Sequence, residues 1–123
     1  MAGSLDQFLD QKYINLETYR KNGQAVQTPV WFVMSDDLIY VITRESTGKV
    51  KRLKNNQKVR IVPCEFKGQP KGEWASATAT LASPEDAEKA IKLRKKKYGF
   101  MSTIAGFMTS AKGKLVVYAI RLD

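Results

Sequence analysis

Residues 13–20 set Ile14, Leu16 and Thr18 on one side of an extended chain and Tyr13, Asn15, Glu17 and Tyr19 on the other, and Asn22-Gly23 follows at once. Alternation with period two marks a strand with one buried face. Asn-Gly between two strand-like runs is the strongest short hairpin signal, because both residues tolerate positive φ. This patterning commits the chain to antiparallel β-structure and leaves helices the role of insertions.

The same punctuation recurs along the sequence. Residues 24–34 read as the partner strand, with Pro29 inside it. A proline has no N–H to give a ladder, so this strand belongs at an edge, at a bulge, or beside something other than a neighbouring strand. Ser35-Asp36-Asp37 makes the next turn. Residues 38–43 (LIYVIT) form an unbroken β-branched and aromatic run, the pattern of a strand buried on both faces. Residues 57–66, 73–81 and 114–122 read as three further strands, with turns at 68–72 and at Lys112-Gly113. The face of the fifth strand that carries Ala75, Ala77 and Ala79 is small enough to invite a flat ligand or another backbone.

Helices interrupt this pattern at two places. Val50 and Leu53 lie three apart among charges, predicting a short helix over residues 47–54. Ser83-Pro84-Glu85-Asp86 starts a second: serine caps, proline suits the first turn, and Lys95, Lys96 and Lys97 close it in the sense the helix dipole favours. Residues 1–12 are consistent with a further helical turn capped by Ser4. Residues 98–111 are uncharged and rich in Phe, Met and Gly, predicting a loop or short helix packed on the barrel or on a partner chain. Six short strands with two or three helices predict a mainly β (α+β) fold, a small six-stranded barrel forming one domain over residues 1–123.

Composition narrows the chemistry. The 123 residues include no histidine and a single cysteine, Cys64. Hydrolases built on Ser-His-Asp or Cys-His are thereby excluded, as are imidazole-ligated zinc and any internal disulfide. The net charge is +9, and residues 44–71 hold 9 basic against 2 acidic groups. Such a surface attracts nucleic acid, anionic membrane or phosphorylated small molecules. No leader-like segment opens the sequence and no uncharged stretch is long enough to span a bilayer, so the expected location is cytoplasmic, without a membrane partner.

Three constellations could carry function. Thr43, Ser46, Thr47, Gly48, Lys49 and Arg52 converge on the start of the first helix, where free N–H groups and the dipole favour a phosphate. The plainer alternative is a solvated basic helix capped by Ser or Thr. The spacing is not that of a P-loop. Thr28-Pro29-Val30-Trp31-Phe32 leaves backbone groups free for the edge of a planar ligand, or is simply an aromatic core strand with an edge proline. The run 94–97, with the other surface lysines, suits a nucleic-acid barrel or merely a helix C-terminus.

Taken together, Leu16-Glu17-Thr18-Tyr19-Arg20 with Asn22-Gly23, then Thr28 to Phe32, then Thr43 with Ser46 to Lys49 and Lys51-Arg52-Leu53, then Trp74 and the small residues after it, resemble a known family. The sequence is similar to the split β-barrel flavin-binding proteins of the pyridoxamine phosphate oxidase-like superfamily, and within them to the short deazaflavin-dependent oxidoreductases. The resemblance implies an FMN-binding split-barrel fold and a homodimer with two cofactor sites at its seam. It also implies a hydride-transferring oxidoreductase that uses FMN or coenzyme F-420, an 8-hydroxy-5-deazaflavin, on an unidentified organic substrate. By matching position, Lys49 with Thr43, Ser46, Thr47 and Arg52 would hold the cofactor phosphate. Thr28, Pro29, Val30 and Trp31 would line the ring through backbone contacts. Lacking histidine, the chain cannot supply the Arg-x-His substrate element of pyridoxamine phosphate oxidase or an imidazole ligand for haem. A non-catalytic cofactor carrier and a basic nucleic-acid barrel are the competing readings, the second disfavoured because the proline and small residues suit a cofactor better than exposed aromatics would suit bases.

Overall fold

The computed structural model describes residues 5–99 and 115–123. The expectations for 100–111 and for the Lys112-Gly113 turn lie outside the described residues, as does Ser4. After a short 3-10 turn at Leu5–Phe8, the elements run β1 (Tyr13–Tyr19), β2 (Ala25–Val30), β3 (Val33–Ser35), β4 (Leu38–Arg44), α1 (Gly48–Asn55), β5 (Lys58–Cys64), β6 (Ala75–Leu81), α2 (Pro84–Tyr98) and β7 (Leu115–Leu122).

All strand pairs are antiparallel, in the order β2-β1-β5-β6-β7-β4-β3. The sheet is seven-stranded where the sequence predicts six. The difference lies within residues 24–34, expected as one strand. The chain leaves β2 at Val30, spends Trp31 and Phe32 between strands, and enters β3 at Val33. β2 and β3 are opposite edges of the sheet. A curled sheet whose two edges are separated by two residues is a split barrel: the edges are joined through the chain rather than by a ladder. Pro29 sits on an edge strand paired only with β1, opposite Asn15, which is where a residue without an N–H does least harm.

The turns follow from backbone sterics. β1 and β2 are joined by the five residues from Arg20 to Gln24, closed by bonds from Gly23 N–H to the Arg20 carbonyl (2.8 Å) and from Arg20 N–H to the Gln24 carbonyl (2.9 Å). Only Gly23 takes a positive φ, of 89°. Asn22 instead uses its side chain to accept from Gln24 N–H at 2.9 Å. The mirror-image two-residue turn occurs at Asp36-Asp37, with φ of 53° and 64°.

The core fills the inside of the curl. Ile14, Leu16, Ile39, Val41, Ile61 and Ile120 meet there, and α1 closes one end with Val50 and Leu53. Ala75, Ala77 and Ala79 are also part of this core. The small face of β6 packs against the protein itself and not against a flat ligand. β4 is buried on both faces, as its apolar run predicts: Ile39 and Val41 face the core, while Tyr40 and Ile42 lie in a second cluster with Ala87, Ala90 and Leu93 of α2. α1 starts one residue later than expected, with Thr47 at its N-cap. α2 is capped as predicted, Ser83 Oγ accepting from Asp86 N–H at 3.2 Å. Among the described residues no helix is long and apolar enough to cross a membrane.

Candidate functional site

β4 ends at Arg44, and the next residues turn into α1 under two short bonds: Thr47 N–H to the Arg44 carbonyl at 3.2 Å and Thr47 Oγ1 to the same carbonyl at 3.0 Å. This turn brings the Thr43 and Thr47 hydroxyls to 3.5 Å of each other. They open into a cavity of about 260 Å³ lined by Ile42, Thr43, Arg44, Thr47, Lys49, Arg94 and Leu115. Its charge is one-sided. Lys49 and Arg94 are half-buried, and none of Arg44, Lys49 and Arg94 forms an ion pair with a carboxylate among the described residues. Burial pushes the Lys49 ammonium below its ordinary pKa, helped by the nearby Arg52 charge, and burial does the same to Arg94.

The Nε of Arg94 is buried with no hydrogen-bond partner among the described residues. A buried guanidinium donor left unmatched is costly, and a cavity with cations, hydroxyls and the first turn of a helix answers that cost when an oxyanion enters it. By this test the residues fit a phosphate group. A larger hollow of about 420 Å³ along α2 is lined by Glu85, Glu88, Lys89, Lys92, Leu93 and Lys96. It mixes both signs of charge and offers no comparable preference for an anion.

A second cavity, about 390 Å³, is lined by Tyr13, Pro29, Val30, Trp31 and Phe66. Its walls are apolar and aromatic. Phe66 is 71% exposed and packs edge-on against Tyr13, with centroids 5.7 Å apart. Opposite Pro29 in the ladder, Asn15 donates from Nδ2 to the Gly68 carbonyl at 2.9 Å, while its Oδ1 is buried without a donor among the described residues. Such walls suit a planar organic group. Trp31 is engaged on one face already, stacked on Tyr98 of α2 at 4.2 Å and 6°. The Tyr98 hydroxyl donates to the Lys12 carbonyl at 2.7 Å, lies 3.0 Å from the Phe32 carbonyl, and accepts from Phe32 N–H at 3.1 Å. Lys97 Nζ donates to the Phe32 carbonyl at 2.9 Å and lies 3.7 Å from the centre of the Phe32 ring.

The residues that the sequence singles out divide into three groups. Thr43, Thr47 and Lys49 line the cationic cavity, and Pro29, Val30 and Trp31 line the aromatic one. Thr28, Ser46 and Arg52 line neither. Thr28 lies opposite Leu16 in the ladder, and Ser46 is exposed. Arg52 turns toward β1, where Nε donates to Thr18 Oγ1 at 2.6 Å. A Cβ built on Gly48 would approach the Arg52 Nη1 to 2.8 Å, so this glycine leaves room for the guanidinium under the start of α1.

Sequence reasoning passes over Tyr13 and Phe66, and it names Arg94 only as part of the run 94–97, weighed for nucleic acid and not for this cavity. Arg94 is hidden in a basic run that the helix dipole explains without it. The spacing of Ala87, Ala90, Arg94 and Tyr98 at three and four residues is the signal that places it on the buried face. Among the described residues no group of three or more His, Cys, Asp or Glu side chains could hold a metal ion. Cys64 is buried, and burial pushes its thiol up in pKa, away from the reactive thiolate.

A family profile described as pyridoxamine 5′-phosphate oxidase matches residues 2–122. No curated protein matches the sequence. Among solved structures, HutZ, the heme storage protein from Vibrio cholerae, is similar with a TM-score of 0.72 at 16% identity, covering 96% of this chain and 86% of that one. A FAD-binding protein from Mesorhizobium loti has a TM-score of 0.58 at 15% identity, covering 96% and 84%. An F-420 reductase has a TM-score of 0.62 at 14% identity, covering 100% and 95%. At these identities the likeness is one of fold.

Proposed function

This chain belongs to the pyridoxamine 5′-phosphate oxidase family of split-barrel proteins, and on that footing we propose that it is an oxidoreductase that seats FMN or a deazaflavin such as coenzyme F-420. The observation that carries this reading is the cationic cavity at the β4–α1 turn, where Lys49 and Arg94 stand half-buried, without carboxylate partners among the described residues, beside two threonine hydroxyls. Fold kinship with a FAD-binding protein and an F-420 reductase supports a flavin-type ring. The family's haem-handling branch offers less, because a chain without histidine cannot ligate iron through imidazole. Nor can it supply an Arg-x-His substrate element, so oxidation of pyridoxamine phosphate is not the activity proposed.

When bound, such a ring supplies two-electron hydride chemistry. The chain's own part is to bind and exclude water. Lys49, Thr43 and Thr47 would hold the phosphate, and Pro29, Val30 and Trp31 with Tyr13 and Phe66 would offer an apolar wall to a planar group. β2 pairs with β1 alone, which leaves alternate backbone groups on its free edge for the rim of a ring. We read the working unit as a homodimer with its cofactor sites at the seam, on the strength of the family resemblance. The substrate is an organic molecule able to accept or give a hydride.

Titration of the purified protein with FMN and with oxidised and reduced F-420, followed by fluorescence quenching, tests the reading. One saturable site per chain is expected; no binding of any of them at tens of micromolar overturns it. Lys49→Ala should weaken binding by about 1.5 to 3 kcal/mol through loss of a charge-assisted contact. Affinity falling steeply with salt across unrelated oligonucleotides would favour a nucleic-acid barrel instead.

A further inference from the structure

Arg94 does not belong to the β4–α1 turn that the family resemblance singles out. It comes from α2, packed on the outside of the sheet against β3, β4 and β7. Three observations set it apart from the lysines that follow it. It lines the cationic cavity together with Lys49, and among the described residues its Nε is buried without a partner and no carboxylate pairs with it. Lys95 and Lys96 are exposed, and Lys97 is committed to Phe32. A guanidinium held half-buried with an idle donor is tolerated where a ligand completes its bonding.

We propose that Arg94 completes the anion pocket from α2, so that a phosphate-class oxyanion seated among Thr43, Thr47, Lys49 and Arg94 bridges α1 and α2. The inference rests on reading that cavity as the phosphate seat. It adds that occupancy ties together two helices that share no other charged contact across the cavity among the described residues. The fork of a guanidinium suits the role: Nε and one Nη can donate in parallel to two oxygens of the same anion, which an ammonium cannot do.

The test uses the whole protein and inorganic phosphate as the probe, with affinity read by calorimetry and protection of α2 amides by hydrogen exchange. Arg94→Ala should weaken phosphate binding about tenfold or more, Arg94→Lys less, and Lys95→Ala about twofold at most. Phosphate should slow amide exchange across α2 in the wild type and not in Arg94→Gln. Thermal unfolding without phosphate establishes that each variant is folded, and Arg94→Lys serves if Arg94→Ala is not. Undiminished binding by Arg94→Ala, an equal loss in Lys95→Ala, or α2 exchange indifferent to phosphate each overturns the role of Arg94 and leaves the phosphate seat standing. A wild-type protein that binds no phosphate overturns the seat itself.

Discussion

Glu17 shows how much one side chain can be asked to do on the outer face of a sheet. It is buried, yet charged: Arg60 donates to both of its oxygens at 2.7 and 3.1 Å, Tyr19 at 2.8 Å and Gln27 at 2.9 Å. The Arg60 guanidinium, itself set 5.0 Å over the Trp74 ring, holds the carboxyl down at about 2 from its ordinary 4.5. A carboxyl with a lowered pKa stabilises the fold fully above its unfolded value and ceases to do so as pH falls through its folded value. Glu17→Gln should therefore cost about 2 kcal/mol at pH 7, read by urea unfolding, with the deficit shrinking as pH falls from about 4.5 toward 2. A deficit that stays constant with pH would assign the loss to packing and not to charge. The alternation of residues 13–20 places Glu17 on the face with Tyr19, and to that extent the cluster was legible. Arg60 was not, because its meeting with Glu17 depends on the register of two strands 43 residues apart in sequence.

At the scale of elements, the docking of α2 turns on Tyr98. This one phenol holds the carbonyl of Lys12 and the backbone of Phe32, and its ring covers Trp31. Burial raises its pKa to about 12, so its protonated form stabilises the fold below the ordinary 10, and that contribution is lost as pH rises from 10 through about 12. Tyr98→Phe should lower stability by about 1 kcal/mol at neutral pH and flatten the decline above pH 10. Equal alkaline slopes in the two proteins would count against this anchor. The start of α2 was readable from Ser83-Pro84-Glu85-Asp86 alone, since capping is local. The bend at Trp31-Phe32 was not readable: residues 24–34 look continuous in any window, and only the seven-strand order shows that the chain changes edges there. The Asp36-Asp37 turn is a smaller lesson of the same kind, two aspartates at positive φ where Asn-Gly would be the usual choice. Asp37→Gly should raise stability by about 0.5 kcal/mol, measured by thermal unfolding; an unchanged or lower midpoint would show that Asp37 has a partner worth more than the strain.

For the molecule as a whole, three of the 21 basic residues behind the charge of +9, Arg44, Lys49 and Arg94, line the one cavity where the proposed ligand is anionic. Net charge pointed to the class of ligand, and the resemblance pointed to the half of the pocket that is contiguous in sequence. The half delivered by α2 required the fold. The proposed homodimer predicts twice the chain mass by sedimentation equilibrium, with cofactor shifting the balance toward the dimer; a monomer at all concentrations, with and without cofactor, would overturn it. The strand order carries one last consequence, for biosynthesis. β7 lies between β6 and β4, and without it the sheet falls into two pieces, β2-β1-β5-β6 and β4-β3. During translation those pieces must wait, with unpaired edges, until residues 115–122 have cleared the ribosome. Until then each piece offers an unpaired edge to any passing strand, and a lesion in β7 divides the sheet in two rather than trimming one edge of it.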